Sequence, residues 1–141
     1  FVGRKDRFPT PTLDAINKIM LNTQNNTGMV LNVAFDYGGR NDIVEATKIV
    51  TSKVLSGEIM IDEVDEAYLQ NHLYVTSNID LLIRTSGELR VSNFLLWQMA
   101  YAEFYFTKCL WPDFNVKELY KAIKSFNKRK RRFGGLNREV K

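Results

Sequence analysis

The sequence predicts an α/β fold in which helices cover both faces of a parallel sheet. Three short apolar runs have the length of strands and lie at residues 29–35, 80–84 and 102–107. The segments between them carry apolar residues at helical spacing, as crossover helices do. The first two runs are each followed by a polar loop that contains glycine. In sheets of this kind ligands bind beyond the carboxyl ends of the strands, so those loops are where chemistry is expected.

Composition indicates one ordinary globular domain over residues 1–141. The 141 residues are 45% hydrophobic and 26% charged. One cysteine, Cys109, and one histidine, His72, exclude an intrachain disulfide and a structural zinc module. No apolar run approaches the roughly 20 residues that span a bilayer, so we predict no transmembrane helix. The opening residues lack a signal core and resemble the middle of a protein, so we expect a fragment.

Two amphipathic helices are predicted in the first half of the chain. The first begins at Thr10 and Pro11, which suit a cap and a first turn, and it ends at residues 25–28. Its apolar positions are Leu13, Ile16 and Met20. The second helix ends near Gly57, which suits a C-terminal cap. Its apolar face holds Ile43, Ala46, Val50 and Val54.

Further elements are predicted in the second half. Residues 62–73 indicate a short acidic helix, and Ser92 with Asn93 suits the start of a helix over 94–100. Residues 111–113 predict a turn. Asn115 opens a last helix, which the glycine pair at 134–135 ends. The apolar face of that helix holds Val116, Leu119, Tyr120, Ile123 and Phe126, and lysines occupy the other face.

Positive charge is concentrated in the C-terminal helix and tail, residues 117–141. This segment holds 10 Lys and Arg against 2 Asp and Glu, whereas residues 1–116 hold 10 against 14. By composition, the run over residues 128–132 could bind nucleic acid, an anionic membrane or phosphate. It is also compatible with a solvated helix end, where the macrodipole favours cations.

Two arginines and a serine form a candidate anion site around the loop that follows the second apolar run. Arg84 ends the run, so its guanidinium needs an anionic partner. Arg90 follows in the loop, and Ser92 would open a helix whose free N–H groups can bind an anion. Guanidinium forks, a hydroxyl and a helix N-terminus suit a phosphate or diphosphate. The alternative is a local salt-bridge network with Asp80 and Glu88.

A carboxylate and a glycine pair are further candidates. Glu103 lies in an aromatic run, where a carboxylate must be paired, hydrogen-bonded, neutral or bound to a cation. It could help hold Mg²⁺ beside a diphosphate, and pairing with an arginine is the alternative. The segment 37–40, Tyr-Gly-Gly-Arg, could bring the main chain close to a ligand or form only a tight turn.

Several motifs occur together along the chain. They are Leu31-Asn32-Val33-Ala34 with the YGGRNDI segment at 37–43, DLLIRTSGELRVSNFLLWQ at 80–98, AYAE at 100–103, LWPDF at 110–114 and RRFGG at 131–135. With them the sequence resembles the C-terminal part of the cis-prenyltransferases, the family of undecaprenyl diphosphate synthase. The resemblance covers nearly the whole chain.

The resemblance implies roles for the candidate residues. Arg84, Arg90 and Ser92 would hold the diphosphate of isopentenyl diphosphate, and Glu103 would help hold Mg²⁺. Arg132 and Gly134 look like the family's C-terminal Arg-X-Gly motif, which reaches the neighbouring subunit's active site in a homodimer. Supporting residues would be Tyr37, Gly38, Gly39, Arg40 and Asn93.

The implied activity is cis-prenyl chain elongation. An allylic prenyl diphosphate loses its diphosphate, the isopentenyl double bond attacks the allylic carbon, and proton loss leaves a new cis double bond. The product would be a long-chain polyprenyl diphosphate such as undecaprenyl diphosphate, a lipid carrier for cell-wall synthesis. We expect a cytoplasmic protein that meets the membrane peripherally and does not bind nucleic acid.

One family feature has no counterpart in the sequence. It is the N-terminal strand with its His-Asp-Gly-Asn-Gly-Arg loop, which binds the allylic diphosphate and supplies the essential Asp. We therefore expect this chain to carry the isopentenyl half of a site and to be inactive alone. The alternatives are a non-catalytic subunit of a heteromeric enzyme and, from the basic tail, a nucleic-acid-binding module. The joint presence of Arg84, Arg90, Ser92 and Glu103 argues against the non-catalytic subunit.

Overall fold

A computed structural model describes residues 1–129 of the chain. These residues divide into two compact units. The first unit contains residues 1–77 and 93–97, and the second contains residues 78–92 and those from 98 onward. Within the described part, no helix is long and apolar enough to cross a membrane.

Helices dominate the first unit. Helix α1 spans Thr10–Thr23 with proline in its first turn, as predicted, but Pro9 and not Thr10 is at the N-cap, and the helix ends slightly earlier than expected. Helix α2 spans Gly39–Leu55, and α3 spans Glu66–Gln70. Beyond the end of α2, Gly57 adopts φ +74 and its N–H bonds to the carbonyl of Val54 at 3.1 Å. The prediction of Gly57 as a C-terminal cap is therefore confirmed.

The acidic helix predicted over 62–73 is shorter than expected. A 3₁₀ turn over Ile61–Glu63 and the helix α3 replace it. Val64 and Asp65 between them are extended, with ψ values of 105° and −178°. Asp65 then starts α3 afresh, because its carboxylate accepts a bond from the Tyr68 N–H at 2.7 Å. A strong N-cap in mid-segment thus divides the predicted helix.

The strand predicted over 29–35 is wrong. A single parallel bridge joins Val2 to Ala34, where the Val2 N–H donates to Val33 and the Phe35 N–H donates to Val2. A strand needs a neighbour along its length, and Val2 supplies one only at the end of this segment. Met29 and Val30 are 89% and 81% exposed, so the segment is not covered on both faces within residues 1–129.

The second unit contains a parallel pair of strands. Strand β1 spans Leu81–Arg84 and strand β2 spans Glu103–Phe106, with Leu81 opposite Glu103 and Arg84 opposite Phe106. Main-chain bonds extend the ladder beyond both ends, from Glu103 N to Asp80 O and from Thr107 N to Arg84 O, each at 2.9 Å. The predicted α/β class with parallel strands is confirmed.

Helix α4 spans Val116–Asn127 and packs on β2. Asn115 starts it as predicted, since its side-chain oxygen accepts from the Lys117 N–H at 2.9 Å. Ala122 is fully buried in the packing. The helix ends at Asn127, earlier than predicted, and the glycine pair at 134–135 lies outside the described residues. The turn predicted over 111–113 is a 3₁₀ turn.

The helix predicted over 94–100 is also wrong. Turns and bends occupy this segment. Ser92, Asn93 and Leu95 adopt φ values of +50°, +62° and +42°, whereas an α-helix needs φ near −60°. Ser92 therefore does not open a helix, and the helix N-terminus expected to bind an anion there is not formed.

Candidate functional site

Arg84 is the last residue of β1, in the second unit. Its main-chain carbonyl continues the sheet, while its half-buried guanidinium forms no hydrogen bond or ion pair with any of residues 1–129. The local salt-bridge alternative therefore does not include Arg84 within the described chain. A partly desolvated cation without a protein anion is a suitable ligand for an anionic substrate.

Arg90 and Ser92, in the loop after β1, differ from Arg84 in their partners or in their exposure. The Arg90 guanidinium forms an ion pair with Glu88, so the local network exists at this position. Ser92 is exposed, and its hydroxyl makes no hydrogen bond within residues 1–129. Ser86 and Gly87 turn the loop with φ values of +66° and +70°, and their N–H groups bond to the carbonyls of residues 109 and 107. The start of the loop is thus tied to the segment after β2.

Glu103 begins β2, and its side chain is 27% exposed. One carboxylate oxygen accepts a bond from the Arg129 guanidinium at 2.7 Å, which is the arginine pairing considered from the sequence. Among the described residues, no group of three or more His, Cys, Asp and Glu side chains could hold a metal ion. The arrangement therefore does not fit a protein cage. A single carboxylate is compatible with Mg²⁺, which typically takes one or two protein carboxylates.

Tyr37 and Asp42 form a buried polar pair at the start of α2, in the first unit. Asp42 is only 2% exposed. Its carboxylate accepts from the Tyr37 hydroxyl at 2.9 Å and from the Tyr74 N–H at 3.0 Å. Burial, together with the bond to the Asp42 carboxylate, raises the pKa of Tyr37, and burial and the charge of Asp42 raise the pKa of Tyr74. Tyr37 therefore supports the helix start.

Sequence reasoning did not select Asp42. The signal was present, because residues 39, 42, 46 and 50 share the buried face of α2 and one of them is a carboxylate. An acidic side chain on an otherwise apolar buried face must be hydrogen-bonded. The bonds from Tyr37 and Tyr74 meet that requirement.

Asn93 caps the same helix from a distant part of the sequence. Its carbonyl accepts from the Gly39 N–H at 2.7 Å, and its side-chain oxygen accepts from the Arg40 N–H at 2.9 Å. The first four N–H groups of a helix have no partner inside it, and these bonds satisfy two of them. We call Gly38, Gly39, Arg40 and Asn93 the helix clasp. The Arg40 guanidinium is exposed and forms no ion pair within residues 1–129.

Comparison with known proteins identifies the family. The family model described as putative undecaprenyl diphosphate synthase matches residues 1–134. The chain belongs to this family. Isoprenyl transferases of Streptococcus thermophilus and Bacillus cereus are 47% and 50% identical to it, and each alignment covers 96% of this chain. The same alignments cover 57% and 53% of the relatives, so the chain spans little more than half of their length.

Two solved structures superpose closely on the chain. A lavandulyl diphosphate synthase from Lavandula x intermedia, in complex with dimethylallyl diphosphate, superposes with a TM-score of 0.91 and 44% identity over 95% of this chain and 58% of that one. A probable undecaprenyl diphosphate synthase from Campylobacter jejuni superposes with a TM-score of 0.83 and 32% identity, over 95% of this chain and 61% of that one. The resemblance and the fold class predicted from the sequence are confirmed.

The candidate residues of this family member lie in both units. Arg84, Arg90, Ser92 and Glu103 belong to the second unit, and the helix clasp and Tyr37 belong to the first. Arg132 and Gly134 lie outside the described residues. The ligand roles of all these residues stay predictions.

Proposed function

We propose that this chain serves cis-prenyl chain elongation, in which isopentenyl diphosphate is condensed with an allylic prenyl diphosphate. The observation that carries the proposal is the half-buried Arg84 guanidinium at the carboxyl end of β1, with no protein anion within residues 1–129. Membership in the undecaprenyl diphosphate synthase family supports the same chemistry. The product is a long-chain polyprenyl diphosphate such as undecaprenyl diphosphate.

In this proposal Arg84, Arg90 and Ser92 hold the diphosphate of isopentenyl diphosphate. Arg84 offers a guanidinium fork that has no partner among residues 1–129, and the exposed Ser92 offers a hydroxyl donor. Arg90 exchanges its partner Glu88 for the diphosphate. That exchange costs little, because the Arg90 side chain is 65% exposed and exposed ion pairs are weak.

The bound diphosphate orients isopentenyl diphosphate for attack. The double-bond electrons of isopentenyl diphosphate form the new bond to the allylic carbon. At the same carbon, the bond to oxygen breaks, and its electron pair leaves with the allylic diphosphate group. A C–H bond of the isopentenyl unit then breaks: the proton leaves, and the electron pair of that bond forms the new cis double bond. Fixing one diphosphate with guanidinium forks lowers the entropic cost of bringing the two carbons together.

We propose Glu103 as the residue that holds Mg²⁺, with one carboxylate oxygen while the other stays bonded to Arg129. When bound, the ion supplies charge compensation for diphosphate oxygens. The carboxylate lies at the start of β2. The Arg129 bond fixes its orientation and keeps its charge partly balanced.

The assembly proposed is a homodimer in which Arg132 and Gly134 reach the partner subunit's active site. The proposed location is the cytoplasm, in peripheral contact with a membrane, because a long polyprenyl tail partitions into lipid. The sequence contains no His-Asp-Gly-Asn-Gly-Arg loop, so a polypeptide of residues 1–141 alone is expected to be inactive.

The experiment is a kinetic assay on the full-length protein with labelled isopentenyl diphosphate and an allylic primer. Arg84→Ala is expected to raise the KM for isopentenyl diphosphate about a hundredfold, since charge-assisted bonds are lost. Arg7→Ala is the matched control, because Arg7 is 63% exposed. No incorporation by the wild-type full-length protein, or an unchanged KM in Arg84→Ala, would contradict the proposal.

The second candidate function is the synthesis of a short-chain product. The lavandulyl diphosphate synthase with dimethylallyl diphosphate bound is 44% identical to this chain. A guanidinium recognises the diphosphate and not the hydrocarbon, so Arg84 suits dimethylallyl diphosphate as well as isopentenyl diphosphate. Chromatography of the products made from each mixture of substrates separates the two candidates. A series of products of increasing chain length supports elongation, and a single ten-carbon product supports the second candidate.

A further inference from the structure

The helix clasp is unusual because the cap of α2 comes from a residue far away in the sequence. Gly38, at the N-cap position, has no side chain to cap with. The Asn93 carbonyl and side-chain oxygen take the N–H groups of Gly39 and Arg40, at 2.7 and 2.9 Å. These bonds attach the 93–96 segment to the first turn of α2.

The two glycines make this close approach possible. A methyl group on Gly39 would lie 2.8 Å from Leu96 Cγ and 3.0 Å from the Leu96 main-chain nitrogen. A methyl group on Gly38 would lie 2.8 Å from the Asn93 side-chain nitrogen. A larger residue at position 39 would therefore require Leu96 to shift relative to the helix. The glycines therefore allow close contact between α2 and this segment, a role that a tight turn alone does not require.

The bonds also hold a backbone conformation that is unfavourable by itself. Ser92, Asn93 and Leu95 all lie in the left-handed region. Asparagine tolerates that region better than serine or leucine does. Such conformations persist when surrounding contacts determine them, and Asn93 supplies two contacts of this kind.

We propose that Asn93 is a positioning residue for diphosphate binding. Its two bonds to α2 fix its own carbonyl and side chain, and so restrain the residue directly before it, Ser92, whose hydroxyl donates to the diphosphate in the proposed function. Asn93 itself does not touch substrate. This inference rests on the proposed function, in which Ser92 donates to the diphosphate of isopentenyl diphosphate.

Steady-state kinetics on the full-length protein test the inference. Asn93→Ala removes the acceptor for the Arg40 N–H, and we expect the KM for isopentenyl diphosphate to rise roughly tenfold. Asn93→Asp keeps an acceptor at a helix N-terminus, where a negative charge is favourable, so it should restore most of the wild-type KM. Asn26→Ala, at an exposed asparagine outside the clasp, is the control and should leave the KM unchanged.

A double variant separates positioning from a general structural role. If Asn93 acts through Ser92, Asn93→Ala raises the KM strongly in the wild-type background and only weakly in a Ser92→Ala background. Equal factors in the two backgrounds would overturn the inference.

The proposed function fails in a different way. If Arg84→Ala and Ser92→Ala both leave the KM unchanged, the diphosphate site and the inference fall together. If both raise the KM and Asn93→Ala does not, only the positioning role is overturned.

If Asn93→Ala does not fold, as judged by thermal melting, Gly39→Ala takes its place. It keeps Asn93 and displaces Leu96, and it should give the same rise in KM, whereas an unchanged KM would overturn the inference.

Discussion

The polar groups at the start of α2 and at the end of β1 differ in whether they have partners among the described residues. At the start of α2, the Asp42 carboxylate and the N–H groups of Gly39 and Arg40 have partners, supplied by two tyrosines and Asn93. At the end of β1, the half-buried Arg84 guanidinium has none within residues 1–129. Residues 1–129 thus supply partners to the first region and no anion to the guanidinium at the end of β1.

This difference indicates which residues support the fold and which bind a ligand. Buried polar groups without partners cost free energy, so a protein keeps them where function requires them. Substitutions at the α2 start should therefore lower stability first. Substitution of Arg84 should lower ligand binding and leave stability nearly unchanged. The free energy of unfolding of single-residue variants distinguishes residues that support the fold from residues that bind a ligand.

Asp42→Ala should have the largest effect on stability. It leaves the Tyr37 hydroxyl and the Tyr74 N–H without their acceptor in a buried place. We expect the free energy of unfolding of the full-length protein to fall by about 3 kcal/mol, measured by urea denaturation. Asp14→Ala on the exposed side of α1 is the control. An Asp42→Ala protein as stable as the control would mean that the pair does not hold the helix start.

High pH should weaken the same region. The pKa of Tyr37 is raised in the folded protein, so the folded state holds this proton more tightly than the unfolded state does. Stability from this group is complete below the unfolded pKa of about 10 and declines as the pH rises above it. Tyr37→Phe removes the titration, so its free energy of unfolding should fall less steeply with alkaline pH. Parallel curves for the two proteins would rule out this contribution.

The Arg129–Glu103 pair should matter least for stability. Its side chains are 33% and 27% exposed, and ion pairs near the surface are weak. Arg129→Ala should therefore lower the free energy of unfolding by less than about 1 kcal/mol. A loss as large as that of Asp42→Ala would show that this bond supports the fold, contrary to its proposed role beside a metal site.

Local patterns were enough to predict much of the fold. Helices α1, α2 and α4 follow from apolar spacing and caps, and β1 and β2 from short apolar runs. The strand prediction for residues 29–35 failed because a strand needs a main-chain partner along its length, and among the described residues only Val2 forms a bridge with this segment. The helix over 94–100 failed because left-handed residues at 92, 93 and 95 are stabilised by contacts that no local pattern reveals.

The candidate site was predictable to a similar degree. Arg84 could be selected because a guanidinium at the end of an apolar run needs an anion. The pairing of Asn93 with Gly39 and Arg40 could not, because it joins residues more than fifty positions apart. The glycine pair and the asparagine were each visible in the sequence, but only the fold shows that they meet.

The most direct test is a calorimetric titration of isopentenyl diphosphate into the full-length protein and its Arg84→Ala variant, with the free energy of unfolding measured for both. We predict that the affinity falls by about a hundredfold while stability changes by less than about 0.5 kcal/mol. An unchanged affinity, or a loss of stability that accounts for the weaker binding, would contradict the assignment of Arg84 to the ligand.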